Sequence, residues 1–372
     1  MVKLVYCIRR KPGLTQAEFF RHWAEVHAPI GVRIPGLRKL VHSYAVTIAA
    51  DSRPADFDGM AELWFDDVPA LLEARRSPEW AASTADEANF VDLSHTAYFV
   101  SEERQMPKEV PLYDAHYGHL TADPQVAVRR RTYDEDLGQA SWLTAAEATA
   151  FFGLLGLGPG RTALELACGS GGVTCRMALE TGATCVGVDL NSHGIEAARA
   201  RAAEQGLSSS VSFERTDASR RLPFPDQSFD AVFCNDSINH FPGRLEVLRD
   251  WHRVLRPGGR VLFTDPIVVT GQLTNEEIQA RSSIGFFLYT PVGGNERLLA
   301  QSGFDVREVR DVTEAVASVS ARWRAAREEL RPALVALEGE ESFAGVQRFL
   351  AVVHTLSSER RLSRFMYLAE RA

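Results

Sequence analysis

Alternating apolar and polar side chains mark strands at Lys3–Arg9, Leu40–Ile48, Asp58–Phe65 and Ala97–Val100. That period of two lets one face of a sheet meet a core. Between these runs, apolar positions recur at helical spacing over Thr15–Val26, Val68–Arg76 and Glu79–Asn89, and Thr15 stands where a helix start wants a hydroxyl. The order is β-α-β-β-α-β, an α+β domain over 1–104. Charge and a proline then break the pattern in SEERQMPKEV, which reads as a linker over 105–112.

Beyond it, over 113–372, short continuous apolar runs replace the alternation, and helical stretches separate them. Such runs suit strands buried on both faces of a parallel sheet, so this part is α/β. They fall at Ala163–Ala167, in CVGVDL up to Asp189, in SVSFERT, and at Phe229–Cys234, Arg260–Thr264, Asp305–Val312 and Arg364–Leu368. LRPGG, Leu255–Gly259, reads as the turn that stops a helix before Arg260. Two helices within Ala315–Thr355 precede a reversed final strand, which gives a seven-stranded sheet.

Composition narrows the functions open to this chain. At 372 residues it exceeds what one core usually supports, in keeping with two domains. A net charge of -8 argues against a nucleic-acid backbone as partner, which needs a basic face. There is neither an apolar run long enough to span a membrane nor a basic start followed by an apolar stretch, so a cytoplasmic protein is expected. Cys7, Cys168, Cys175, Cys185 and Cys234 form no C-x-x-C pair and read as small core residues, with no metal expected.

The chemistry concentrates in TALELACGSGG, Thr162–Gly172. A buried strand must turn sharply there, and Gly169, Gly171 and Gly172 clear side chains from a backbone that approaches a ligand before a helix over Val173–Leu179. Asp189 closes the next strand, placed to accept both ribose hydroxyls of an adenosine. A dinucleotide pyrophosphate needs a third glycine in G-x-G-x-x-G, and Thr174 holds that position. The order Glu165, Ala167, Gly169, Gly171 instead resembles motif I of the class I S-adenosylmethionine-dependent methyltransferases, with Ala167 where that family usually has its first glycine.

This resemblance implies a Rossmann-like core over 158–312 and 361–372, S-adenosylmethionine as cofactor and S-adenosylhomocysteine as product. Carried across residue by residue, it puts Leu190 beside Asp189 at the cofactor, and makes Asp217 and Ala218 the pair that contacts adenine. Asn235 and Asp236 then face the methionine half, while Asn239 and His240 face the substrate. His240 is the candidate base, and Asp236, Asn239 and Asp265 are weaker polar candidates. TYDEDLGQASWLT resembles the helical lid of small-molecule methyltransferases, here 113–157, so Tyr133, Gln139, Ser141 and Trp142 are candidate cofactor contacts. Thr144 and Glu147 also form a T-x-x-E capping box. Insertions at 272–292 and 313–360 would cap the site, with Phe286, Phe287 and Tyr289 lining a substrate pocket.

The order of elements before the linker is ferredoxin-like. FFRHWAEVHAPI, with Asp58-Gly59 and Phe90-Val91-Asp92, resembles the EthD family of dimeric α/β-barrel domains, which implies a homodimer. Trp23 and His27 share a helix face, and no acid or base is visibly paired with His27, which favours a structural histidine. The expected function is methyl transfer to a small, apolar or aromatic, natural-product-like molecule by in-line displacement. Two alternatives stand beside it: a bifunctional enzyme whose first domain cyclises or decarboxylates an intermediate, and a non-catalytic cofactor-binding assembly protein.

Overall fold

The computed structural model describes residues 2–45, 55–102 and 117–372. The chain divides into two compact units, 1–106 and 107–372. The expected linker over 105–112 lies outside the described residues.

In the first unit β1, Val2–Ile8, leads into α1, Gln16–His22, whose Thr15 and Glu18 form a reciprocal capping box. The helix does not run on regularly to Val26, as the spacing predicts. It widens into a π turn, Trp23–His27, and resumes as α2, Ala28–Gly31. There follow β2, Lys39–Tyr44, and β3, Gly59–Phe65. The unit closes with α3, Val68–Ala74, α4, Pro78–Phe90, and β4, Ala97–Glu102. The end of the strand predicted over Leu40–Ile48 falls outside the described residues. The strands pair antiparallel in the order β2-β3-β1-β4, the arrangement of a ferredoxin-like sheet. Strict alternation of burial along β3 sends Ala61, Leu63 and Phe65 inward to meet Phe19, Trp23, Leu71 and Phe90.

The second unit begins with α5, Asp123–Thr132, and α6, Ala145–Leu154. A repeating strand and helix pattern follows: β5, Thr162–Leu166; α7, Gly172–Thr181; β6, Thr184–Asp189; α8, Ser192–Glu204; β7, Val211–Arg215. It continues through β8, Phe229–Cys234, α9, Arg244–Val254, and β9, Leu255–Val269. After α10, Asn275–Arg281, come the two-residue β10, Thr290–Pro291, α11, Gly294–Gln301, and β11, Phe304–Asp311. A helical cap of α12, Thr313–Glu329, α13, Arg331–Glu338, and α14, Glu340–Ser358, precedes β12, Leu362–Arg371.

The sheet path is β11-β12-β9-β8-β5-β6-β7, with β10 pairing beside β9. Strands β5 to β9 are parallel, whereas β12 runs antiparallel to both its neighbours. Leu164, Leu166, Val188, Val232 and Phe233 are fully buried, as strands covered on both faces must be. Burying each such side chain contributes about 1.5–3 kcal/mol.

Two local readings change. LRPGG is a bulge inside β9, because Leu255 already pairs with Phe229 and Arg260 with Ala231, and the intervening residues loop out through Gly258 at φ 74°. The cap holds three helices where two were expected, since Pro332 starts a short helix and Gly339 ends it.

Candidate active site

The turn after β5 is built as the glycines imply, with one surprise. Gly169 has φ 55°, and a Cβ there would run into the Tyr117 hydroxyl. Ala167, at the same φ of 55°, adopts the left-handed backbone without glycine's freedom. Asp189 reaches back across the turn: Gly169 N–H donates to Oδ2 and Asn191 N–H to Oδ1, each at 2.8 Å. Each carboxylate oxygen can accept a second bond, so this grip orients Asp189 without exhausting it. Glu165 is buried and takes the Thr174 hydroxyl, and burial pushes its carboxyl up to about 8. Burial also raises Asp189. The turn is glycine-rich and carries two buried carboxyl groups, a cradle that fits the ribose hydroxyls of an adenosine.

Asp217 lies just after β7 and is held by the Ser219 N–H at 3.0 Å and by Arg220, with Ala218 buried beside it. The side chain of Gln139 is engaged locally. Its Oε1 accepts from Leu137 N at 2.7 Å and its Nε2 donates to Glu135 O at 3.2 Å, so its amide closes its own loop. Tyr133 is likewise spent on packing, with its hydroxyl on the Ser141 carbonyl at 2.6 Å.

Asn235 and Asp236 belong to a buried hub that sequence reasoning missed. Arg364, fully buried on β12, donates Nε to Asp236 at 2.6 Å, Nη2 to Asn235 at 2.9 Å and Nη1 to both oxygens of Glu147 at 2.7 and 2.8 Å. Asp236 also takes the Thr264 hydroxyl at 2.8 Å and the Trp142 N–H at 3.0 Å. Its carboxylate is thus committed to the fold, which removes the simplest reason to count it a cofactor ligand. Glu147 likewise departs from the expected capping box: Thr144 accepts from its N–H, but its side chain turns to Arg364.

A cavity opens at the carboxyl ends of β8 and β9, where ligands bind in open α/β folds. Ser141, Trp142, Asp236, Asn239, His240 and Phe287 line it, together with cap residues Trp323, Arg327 and Phe349. Phe286 and Tyr289 are not among its lining. Phe286 is exposed and serves through its carbonyl, while Tyr289 packs toward Leu356 and Leu362, its hydroxyl on Ser282 at 3.1 Å. Asp265 is also diverted, gripped by Arg244 at 2.8 Å, Asn295 at 2.9 Å and Thr290 at 3.0 Å.

His240 Nδ1 sits 2.8 Å from the Phe286 carbonyl. A carbonyl can only accept, so Nδ1 carries the proton and Nε2 the lone pair. Burial and the nearby Arg281 guanidinium pull His240 down to about 4, against the pull of that carbonyl, so the ring is neutral near pH 7. Arg281 is itself sandwiched over Phe287 at 4.5 Å and Phe349 at 5.1 Å. Asn239 is fully buried, and neither its amide oxygen nor its nitrogen has a partner among the described residues. Leaving such groups unpaired costs about 1–3 kcal/mol each, which a ligand in the cavity would recover.

The chain is also similar to known proteins. A family model for a methyltransferase domain matches residues 164–263, and one for an EthD domain matches residues 11–94. Methyltransferase GfsG of Streptomyces halstedii is 34% identical over 196 residues, 51% of this chain and 68% of that protein. The 27-O-demethylrifamycin SV methyltransferase of Amycolatopsis mediterranei is 30% identical over 194 residues, 49% of this chain and 71% of that one. The chain belongs to the S-adenosylmethionine-dependent methyltransferases. Phosphoethanolamine N-methyltransferase 2 of Haemonchus contortus, solved with S-adenosylhomocysteine, shares the fold at TM-score 0.59 and 20% identity, over 76% of this methyltransferase and 63% of that chain. Among the described residues, no cluster of His, Cys, Asp and Glu could hold a metal, and no helix is long and apolar enough to cross a membrane.

Arg364, Thr264 and Arg281 were the residues missed, whereas the aromatic content of the cap was legible in the sequence. The reversed last strand was the signal available for Arg364: an arginine inside an otherwise apolar buried strand needs a carboxylate partner.

Proposed function

We propose that this methyltransferase moves a methyl group from S-adenosylmethionine to a small, largely apolar, natural-product-like acceptor seated under the cap. The observation that carries the reading is the cavity at the carboxyl ends of β8 and β9, walled by aromatic side chains and holding His240 and the unpaired amide of Asn239. One relative methylates 27-O-demethylrifamycin SV, a small-molecule acceptor in keeping with that substrate class.

When bound, S-adenosylmethionine supplies a methyl group on a sulfonium with a neutral leaving group, so the chain's part is alignment and exclusion of water. Glu165, Ala167, Gly169, Gly171, Asp189 and Leu190 would form the cofactor cradle, with Asp217 and Ala218 toward the adenine. Asn239 would hold a hydroxyl or carbonyl of the acceptor, and His240 Nε2 would take the acceptor's proton. With its Nδ1–H held by Phe286 and its ring neutral, His240 is ready to accept that proton. We also propose that two copies assemble through the first domain, where Tyr98, Phe99 and Val100 stand exposed on the edge strand β4.

Calorimetry of S-adenosylhomocysteine binding tests the cofactor half. Asp189→Ala removes two charge-assisted bonds and should weaken binding roughly a hundredfold or more. No binding by folded wild type would overturn the reading. Given binding, labelled methyl transfer across a panel of apolar hydroxylated acceptors tests the substrate class, with kcat expected to fall roughly a hundredfold in His240→Ala.

A further inference from the structure

The first domain contains a separate cavity that methyl transfer does not use. Its walls are mainly apolar, Trp23, Ile34, Leu40 and Phe90 among them, and they also carry Tyr6, His27, His42 and Glu87. The histidine that looked unpaired in sequence has an acid. His27 Nδ1 lies 3.0 Å from Asp86 Oδ2. A carboxylate accepts, so Nδ1 bears the proton and Nε2 is left to an occupant. Asp86 is pinned from two further sides, by His22 Nε2 at 3.2 Å and Asn89 Nδ2 at 2.9 Å, and the Phe90 ring packs 4.9 Å from the His27 ring. The base, its orienting acid and the supports of that acid are therefore all in place. The π turn over Trp23–His27 aims the two side chains differently, with Trp23 stacked on His42 at 4.3 Å and His27 turned to Asp86.

We propose that this cavity is a second active site, in which His27 takes a proton from the carbon beside the carbonyl of a small apolar ketone while Glu87 gives one to the carbonyl oxygen. The C–H bond breaks and its electron pair becomes the C=C bond. The carbonyl π pair takes the Glu87 proton, and the product is the enol. Return of His27's proton to that carbon, or to a conjugated one, and of the enol proton to Glu87, restores both groups without any oxidant or reductant.

The electrostatics suit this division of labour. Burial holds His27 below its ordinary value despite the Asp86 bond, so the ring is a free base at neutral pH. Burial and the Asp86 charge push Glu87 up to about 7, where it still carries a proton to give. His42 is pulled down to about 4 by burial and by His27, and stays neutral. Tyr6 is pushed up to about 12 by burial, with Glu87, Arg75 and Tyr98 as its charged or ionisable neighbours, and remains a donor. Pairs of groups driven apart in this way mark acid and base roles.

The test is solvent exchange by the full chain in D2O, without S-adenosylmethionine, using benzyl methyl ketone as probe and NMR loss of its methylene protons as readout. Wild type should exceed the buffer rate, and His27→Gln should lose about a hundredfold or more of that rate. Exchange should fall as pH rises past about 7, where Glu87 loses its proton, and Glu87→Gln should abolish that alkaline limb. Circular dichroism melts show whether each variant folds; if His27→Gln does not, the Glu87→Gln profile decides. A wild-type rate equal to buffer, an undiminished rate in folded His27→Gln, or an alkaline limb that survives Glu87→Gln overturns the proposal. Because the cofactor is absent from the assay, the outcome is independent of the methyl-transfer reading.

Discussion

Two groups of buried acids in the second domain are handled in opposite ways. In the glycine-rich turn, Glu165 and Asp189 are held by a threonine hydroxyl and backbone N–H groups, and burial raises both. In the hub, Asp236 and Glu147 close on the Arg364 guanidinium. The hub sets one guanidinium against its two carboxylates, although burial raises Glu147 even there, whereas the turn holds its acids by a hydroxyl and backbone N–H groups. Whether the chain itself supplies a counter-charge thus separates the acids of the hub, which hold the fold, from those of the turn, which we propose hold the cofactor.

The largest effect should come from breaking the hub. Arg364→Met leaves two carboxylates buried without their cation, which costs about 3–5 kcal/mol. Urea unfolding should show that loss in the midpoint. A loss under about 1 kcal/mol would mean that the hub contributes little and that the contrast with the turn is empty.

The turn should answer to pH. A carboxyl whose folded-state pKa is raised binds its proton more tightly in the folded protein, so its stabilisation is complete below about pH 4 and is lost as pH climbs. For Glu165 that window closes at about 8. Glu165→Gln keeps an acceptor for the Thr174 hydroxyl and has nothing to ionise. Its stability relative to wild type should rise between pH 5 and pH 9, by on the order of 4 kcal/mol. Saturating S-adenosylmethionine brings a positive charge and should narrow that gap. A pH-independent difference would place a counter-charge in the turn already.

The same contrast explains how much could be read from sequence. The turn is contiguous: Glu165, Gly169 and Gly171 follow one another, and Asp189 ends the adjacent strand, so chain order carries its geometry. The hub joins Trp142 and Glu147, Asn235 and Asp236, Thr264 and Arg364, which meet only because β8, β9 and β12 lie side by side. Sequence spacing encodes none of these contacts. Asp86 was missed for the same reason, since His27 finds it on another helix. Phe286 shows a further limit, because its backbone carbonyl does the work and no residue-type pattern marks that. The β-α-β-β-α-β order and the strand at Phe229–Cys234 were legible because their periodicity is local.

The smallest effect tests whether the turn gave up stability for its form. Ala167 holds φ 55°, which for a residue with a Cβ costs roughly 1–2 kcal/mol. Ala167→Gly removes that strain but loosens the unfolded chain, which costs about 0.4–1 kcal/mol. The first term wins, so the variant should gain roughly 0.5–1 kcal/mol in urea unfolding. Gly169→Ala reverses the sign: it imposes the same strain and drives a methyl group into the Tyr117 hydroxyl. If Ala167→Gly instead destabilises, the methyl group is packing against the partly buried edge of the adjoining core, and the departure from glycine at this position serves that contact.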